Sequence, residues 1–227
     1  MINKKKLLAV IPARYGSKRL KKKNLLQIKK KSLIEHTYQI AKKSKYIDEI
    51  IICTESEIIK KKISHIIEKK KIIMRPRYLS KSNISGSKVV THLLKKKNNY
   101  DFVILLQPTS PLRTTNDIDK SIYKTYKSKI DSLVSVYKSK RNRKFPVSII
   151  NNRLSKPKKF KKGNKFNHYL NGAIYISKVK SILKNKSFFS KNTGFYLMPE
   201  SRSIDIDFKK EFLKAKKIIE KNAVQNY

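Results

Sequence analysis

Short apolar runs alternate with segments whose apolar residues recur every three or four positions, and this alternation constrains the fold more than any other feature of the chain. The runs fall at 7–11, 48–54, 71–74, 101–106 and 132–137 and are rich in Ile, Leu and Val. Between them, 32–44 carries Leu33, Ile34, Thr37, Ile40 and Ala41 at helical spacing, with Ser32 and Glu35 placed for a capping box. Similar patterns predict helices over 56–69, 87–97 and 115–128, the last capped by Thr115 or Asn116. A closing helix over 209–221 has Phe212, Leu213, Ala215, Ile218 and Ile219 on its apolar face. Such alternation makes a mostly parallel sheet with right-handed crossovers, flanked by helices. A length of 227 residues suits one domain, 1–227, with a sizeable core.

The charge is extreme: Lys and Arg number 57 against 15 Asp and Glu, a formal net charge of +42. Such a balance ordinarily indicates nucleic acid. Here lysine far outnumbers arginine and is spread over nearly every polar segment, alongside abundant Ile and Asn, the mark of AT-rich coding acting on solvent positions. No RNP, helix-turn-helix or Cys/His zinc pattern is present. A uniform coat predicts non-specific polyanion binding at low salt and no specific nucleic-acid partner. No run approaches the roughly 18 apolar residues of a membrane span. The basic-then-apolar start at 4–11 is broken by Pro12 and Arg14, so a cytoplasmic protein with no membrane partner is expected. Cys53, the single cysteine, forms no internal disulfide and reads as a small buried core residue in Ile-Ile-Ile-Cys-Thr.

Four segments carry chemistry. A loop leaving the first parallel strand faces the crevice where open α/β sheets bind ligands. That loop, at 11–24, reads Ile-Pro-Ala-Arg-Tyr-Gly-Ser-Lys-Arg-Leu-Lys-Lys-Lys-Asn and carries Arg14, Lys18 and Lys23 around Gly16 and Ser17. Cations, free backbone N–H groups and a residue tolerant of unusual backbone angles are what a triphosphate needs, although the loop is neither a P-loop nor G-x-G-x-x-G. Residues 75–87, with Pro76, Gly86 and several serines, form a donor-rich loop after a strand. Residues 107–113, Gln-Pro-Thr-Ser-Pro-Leu-Arg, make a rigid polar shelf at the end of another strand. At 203–208, Ser-Ile-Asp-Ile-Asp-Phe reads as a strand whose Asp205 and Asp207 point to one side. Paired carboxylates repel unless a cation joins them, and Mg²⁺ takes such hard oxygen ligands.

The wording at 8–24, 107–113, 171–176 and 203–208 resembles, in order, the motifs of the CMP-sugar synthetases, and Leu-Gln-Pro-Thr-Ser-Pro-Leu-Arg resembles their acylneuraminate cytidylyltransferase branch. Lys21 stands where that family usually has Pro. The resemblance implies a Rossmann-like nucleotide-diphosphosugar-transferase fold with a small protruding dimerisation arm at about 138–170. It implies that Ala13, Arg14, Gly16, Ser17, Lys18, Lys23 and Asn24 bind the nucleotide, with Lys23 at the α-phosphate, and that Arg75 with Ser85 or Ser87 grips the cytosine. An Asp common near Ser82 in the family is missing, which leaves the serine register open. Gln107 would face the junction of nucleotide and sugar, Asn171 and Tyr175 the sugar, and Asp205 and Asp207 would hold Mg²⁺. The arm's basic residues would reach the partner protomer's sugar site in a homodimer. The usual arginine there is replaced by Lys161-Lys-Gly-Asn-Lys-Phe, so Lys161, Lys162 or Lys144 stands in with a point charge in place of a planar fork. The implied activity joins CTP and a free nonulosonic acid of sialic or legionaminic type, with Arg14, Lys18, Lys23 and Gln107 as catalytic residues. The alternatives are a CMP-Kdo synthetase and a catalytically weak polyanion-binding homologue.

Overall fold

The computed structural model describes residues 4–97, 99–141, 143–155 and 167–224. In chain order the strands and helices are β1 (Leu7–Pro12), β2 (Gln27–Ile28), β3 (Lys31–Ser32), α1 (Leu33–Lys42), β4 (Glu49–Thr54), α2 (Glu57–Ile63), β5 (Ile72–Met74), α3 (Gly86–Leu94) and β6 (Phe102–Leu106). They continue with α4 (Thr115–Lys127), β7 (Ser132–Lys138), β8 (Pro146–Ile150), β9 (Arg153–Ser155), β10 (His168–Lys178), α5 (Val179–Asn185), β11 (Thr193–Leu197) and α6 (Lys209–Val224).

The main sheet runs β11-β7-β10-β6-β1-β4-β5, with β8 and β9 attached beside β10. All neighbours in the main path are parallel except β10, which runs against both β6 and β7. Helices cover both faces, and the central strands β1 and β6 are apolar throughout. Leu7, Ala9 and Ile11 of β1 join one core cluster with Ile34, Ala41 and Ile118, while Leu8 and Val10 join the other with Val89, Val90 and Leu93. Each of the Leu, Ile and Val side chains, taken fully from water, stabilises the fold by about 1.5–3 kcal/mol.

Local sequence explains most element boundaries. Ser32 and Glu35 form the capping box expected at the start of α1. Helix α4 is capped one residue earlier than expected, by Thr114, because Asp117 three positions on returns the reciprocal bond. Helix α3 begins at Gly86 on a Ser85 cap, and a Cβ at 86 would come 2.5 Å from Leu105 Cδ2. The pattern at 56–69 overshoots: α2 ends at Ile63, where the Ser64 hydroxyl donates to the Lys61 carbonyl and Ile67 turns into the core. Helix α6 buries Ala215 and packs Phe212 and Ile219 inward, but Leu213 is 51% exposed. Its partners are Ile28 and Leu33, flanking β3, and Ile206, so α6 presses the loop after β1 and the acidic segment into contact.

Candidate active site

A cleft of about 500 Å³ opens at the carboxyl ends of β1, β5 and β6. Each strand delivers a different wall, as expected where loops leave the strand ends of an α/β sheet.

The loop after β1 supplies the cations. Ala13 is buried, and its N–H donates to the Cys53 carbonyl at 2.9 Å, prolonging the strand pairing. The Asn24 amide closes the loop by donating to the Arg14 carbonyl at 2.8 Å. Arg14, Arg19, Lys23 and Asn24 line the cleft; Lys18 is exposed and does not. Ser17 is buried, and its hydroxyl has no partner among the described residues. Gly16 departs from expectation, since it has no positive φ and a Cβ there would meet nothing within 4 Å. The left-handed backbone in this region falls on Lys22, Lys29 and Lys30.

The acidic segment faces that loop. Residues 203–208 are not a strand: among the described residues they pair with no ladder, and Ile206 is tied by one N–H to the Thr109 carbonyl at 2.8 Å. Ile206 is nevertheless buried while Asp205 and Asp207 line the cleft, so the alternation expected of a strand persists in extended chain. Lys23 Nζ donates to the Ile206 carbonyl at 2.5 Å and to Asp207 Oδ1 at 3.2 Å, and Arg19 Nη1 donates to Asp207 Oδ2 at 2.7 Å. Burial pushes the Asp205 carboxyl up from its ordinary range and neighbouring Asp207 adds to this, against the opposing pull of the Thr109 hydroxyl, Lys23 and Arg19. Among the described residues no group of three or more His, Cys, Asp or Glu is placed to hold a metal ion. The Asp205–Asp207 pair still fits a divalent cation, because among the described residues Asp205 has no ion-pair partner of its own and an ion completed by phosphate oxygens would relieve the repulsion.

The shelf after β6 forms the floor. The Gln107 carbonyl accepts from Arg113 Nη1 at 3.3 Å, and the same nitrogen donates to the Ala173 carbonyl at 2.7 Å. Burial lowers the Arg113 guanidinium to about 10. This cation staples the shelf to the bulge in β10, where the register shifts between Leu170 and Tyr175 and Gly172 takes φ +74°. A Cβ at Gly172 would lie 3.5 Å from Asp205 Oδ2 and 3.7 Å from Gln107 Nε2. Asn171 does not line the cleft. It is buried, accepting from Ser135 Oγ at 2.6 Å and donating to Ser203 Oγ at 3.0 Å, so it braces the acidic segment from behind.

Arg75, Ser85 and Ser87 line the opposite wall, with the two serine hydroxyls 2.9 Å apart. Tyr175 packs on Phe188 at 5.6 Å between ring centres and, with Phe189, Leu170 and Phe145, makes the remaining wall apolar. Burial pushes the Tyr175 hydroxyl well above its ordinary pKa. Lys161 and Lys162 lie outside the described residues. Lys144 sits 5.8 Å from the Phe208 ring, which Arg19 approaches at 5.4 Å.

Sequence reasoning missed Arg19, Glu55, Ser80, Phe145, Phe188 and Phe189. Arg19 adjoins Lys18 in the same basic run, and only its bond to Asp207 at the edge of the cleft distinguishes it. Glu55 carried a signal, an acid at a strand's carboxyl end in a chain with only 15 acidic residues. The aromatic residues carried none, since apolar residues ordinarily signify core.

Residues 8–226 match the family model described as Cytidylyltransferase. The chain belongs to the cytidylyltransferase family. It is 34% identical over 231 residues to a CMP-N,N'-diacetyllegionaminic acid synthase of Legionella pneumophila, covering 96% of this cytidylyltransferase and 97% of the relative. It is 31% identical to an N-acylneuraminate cytidylyltransferase of Escherichia coli, covering 91% of this chain and 50% of that one, so it spans half the length of that relative. Among solved structures, a CMP:2-keto-3-deoxy-manno-octonic acid synthetase complexed with CTP superposes with a TM-score of 0.77 at 19% identity, over 96% of this chain and 99% of the other. At that identity the likeness establishes the fold alone, an α/β nucleotidyltransferase fold. No helix among the described residues is long and apolar enough to cross a membrane.

Proposed function

We propose that the chain transfers CMP from CTP to the anomeric hydroxyl of a nonulosonic acid of sialic or legionaminic type, releasing pyrophosphate. The observation that carries this reading is the convergence on one cleft of a cationic loop and a carboxylate pair, joined at Lys23 and Asp207. In the reaction the hydroxyl oxygen forms a bond to the α-phosphorus as the bond to pyrophosphate breaks. Little covalent work falls to the protein, so positioning and charge neutralisation dominate. Arg14, Arg19 and Lys23 supply positive charge where the phosphates would lie, with Lys23 at the α-phosphate. Arg75 and the Ser85 and Ser87 hydroxyls bound the nucleotide base, and Gln107 reaches the junction with the sugar. Asp205 and Asp207 would hold Mg²⁺, which supplies Lewis-acid polarisation and lowers the pKa of a bound hydroxyl.

The wall of Tyr175, Phe188, Phe189, Leu170 and Phe145 suits the acylamino and methyl substituents of nonulosonic acids. Relatives named for those sugars match this chain over nine-tenths of its length, whereas a 3-deoxy-manno-octulosonate cytidylyltransferase of Fusobacterium nucleatum matches over 65% at 32% identity. A homodimer whose 138–170 arm reaches the partner's sugar site, acting in the cytoplasm, completes the reading. Pyrophosphate release with CTP and Mg²⁺, adding N-acetylneuraminate, a legionaminate and Kdo separately, tests it. Release with a nonulosonate is expected; release with Kdo alone, or with none, overturns it.

A further inference from the structure

Glu55 does not line the cleft, yet two of the segments that build the cleft, the loop after β1 and the loop at 75–87, meet on its carboxylate. It stands directly after β4 with its side chain 12% exposed. Oε1 accepts the Tyr15 N–H at 2.8 Å, inside the cation-bearing loop. Oε2 accepts Arg75 Nη2 at 3.0 Å and the Ser80 hydroxyl at 2.7 Å. Arg75 Nε donates to Ser80 Oγ at 3.1 Å, and the Arg75 backbone N–H donates to the Thr54 carbonyl at 2.8 Å. Two bonds on two different nitrogens fix the plane of a guanidinium that is 3% exposed and lines the cleft.

Burial alone pushes the Glu55 carboxyl up, but the bonds from Ser80, the Tyr15 N–H and Arg75 outweigh it and hold the group below its ordinary range. The carboxylate is therefore charged at neutral pH and clamps the arginine.

We propose that Glu55 is a positioning residue for base selection: through Arg75 it fixes the donor edge that reads the pyrimidine, and through Tyr15 it locks that edge to the loop facing the phosphates. The inference rests on the CTP reading above. A guanidinium can only donate. Cytosine presents two adjacent acceptors, O2 and N3, whereas uracil carries an N–H at position 3. A fixed donor edge matches the first and opposes the second; an arginine free to swing away loses that discrimination. Glu55 thus acts on selectivity without touching the nucleotide.

The test compares CTP and UTP binding by calorimetry in wild type, Glu55→Gln and Glu55→Asp, together with pyrophosphate release and thermal unfolding. Glu55→Gln is expected to lower the CTP-to-UTP affinity ratio about tenfold, the scale of one mispaired buried polar group. The KM for the sugar acid should move by less than about twofold, because that wall is not attached to Glu55. Glu55→Asp keeps the charge and should recover part of the ratio; it supplies the reading if the glutamine variant does not fold. An unchanged CTP-to-UTP ratio in a folded variant, even with both affinities lowered, overturns the proposal and leaves a purely structural ion pair. Wild type that prefers CTP but releases no pyrophosphate with any sugar acid refutes the sugar assignment while the affinity ratio still decides the role of Glu55. Wild type with no preference for CTP refutes both.

Discussion

The Lys23 ammonium lies 3.2 Å from the Asp207 carboxylate although 184 residues separate them. The other carboxylate oxygen accepts from Arg19 Nη1 at 2.7 Å, so two cations bond Asp207 directly. Replacing Lys23 by Ala should reduce kcat/KM for CTP about a hundredfold, since one preorganised charge facing the transferring phosphoryl is lost. Stability should fall by only about 1 kcal/mol, because the pair is part-exposed and Arg19 still holds Asp207. Steady-state kinetics beside urea unfolding separates the two effects, and near-normal turnover would remove Lys23 from the mechanism.

Asp205→Asn should have opposite effects on activity and stability. The native carboxyl is raised by burial and by Asp207, so its charged form destabilises the metal-free fold above the ordinary carboxylate pKa. The variant is expected to unfold at a higher temperature than wild type at pH 7, with the difference shrinking as pH falls through the raised native pKa and the wild-type residue protonates. Activity should drop by about a hundredfold or more if the carboxylate holds the ion. Calorimetry from pH 4 to 8 beside pyrophosphate release checks both halves.

Chelation offers an independent probe of the carboxylate pair. Treatment with EDTA should abolish turnover, and Mg²⁺ should restore it; added Mg²⁺ should also raise the thermal midpoint of wild type but not of Asp205→Asn. Full activity in EDTA would exclude Asp205 and Asp207 as a metal site.

Asp117 anchors the acidic segment from below. Burial alone raises its carboxyl, but bonds from Arg202 and Thr114 overcome this and lower it, with Arg202 Nη2 at 2.7 Å. A lowered native pKa contributes stability above the unfolded value, and that contribution is lost as pH falls through the native one. Arg202→Met should therefore cost about 2 kcal/mol at pH 7, discounted for the part-exposed arginine, and less in acid. Urea titrations at pH 7 and pH 3 measure the difference; an equal loss at both would mean the arginine acts by packing alone.

Gly172→Ala places a side chain at φ +74° and 3.5 Å from Asp205 Oδ2. Backbone strain of about 1–2 kcal/mol is expected, along with a larger loss of activity than of stability, because the bulge also bounds Gln107. Comparison with Gly16→Ala is informative: that site meets nothing within 4 Å and has no positive φ, so folding should be unchanged.

Local pattern was enough to specify β1, β4, β5, β6, β7, α1, α3, α4 and α6, the Ser32 and Glu35 cap, and the segments that carry Arg14, Lys23, Arg75, Gln107, Asp205 and Asp207 to the cleft, whereas Tyr175 came from the family resemblance and α5 and β11 were not foreseen. Periods of two and 3.6 residues and the chemistry of turns are properties of adjacent residues, and they survive in any tertiary setting. What lay beyond them was decided at long range. Arg19 and Lys18 are neighbours of like charge, and Arg19 lines the cleft because Asp207, 188 residues away, accepts from it. Asn171 faces the interior because Ser135 and Ser203 converge on its amide. Strand β10 runs against its neighbours, and residues 203–208 remain extended without a ladder, because α6 and the shelf after β6 hold them in place of a paired strand. Strand direction and the partner of a buried charge depend on which distant segments meet, and that is settled only when the whole core closes.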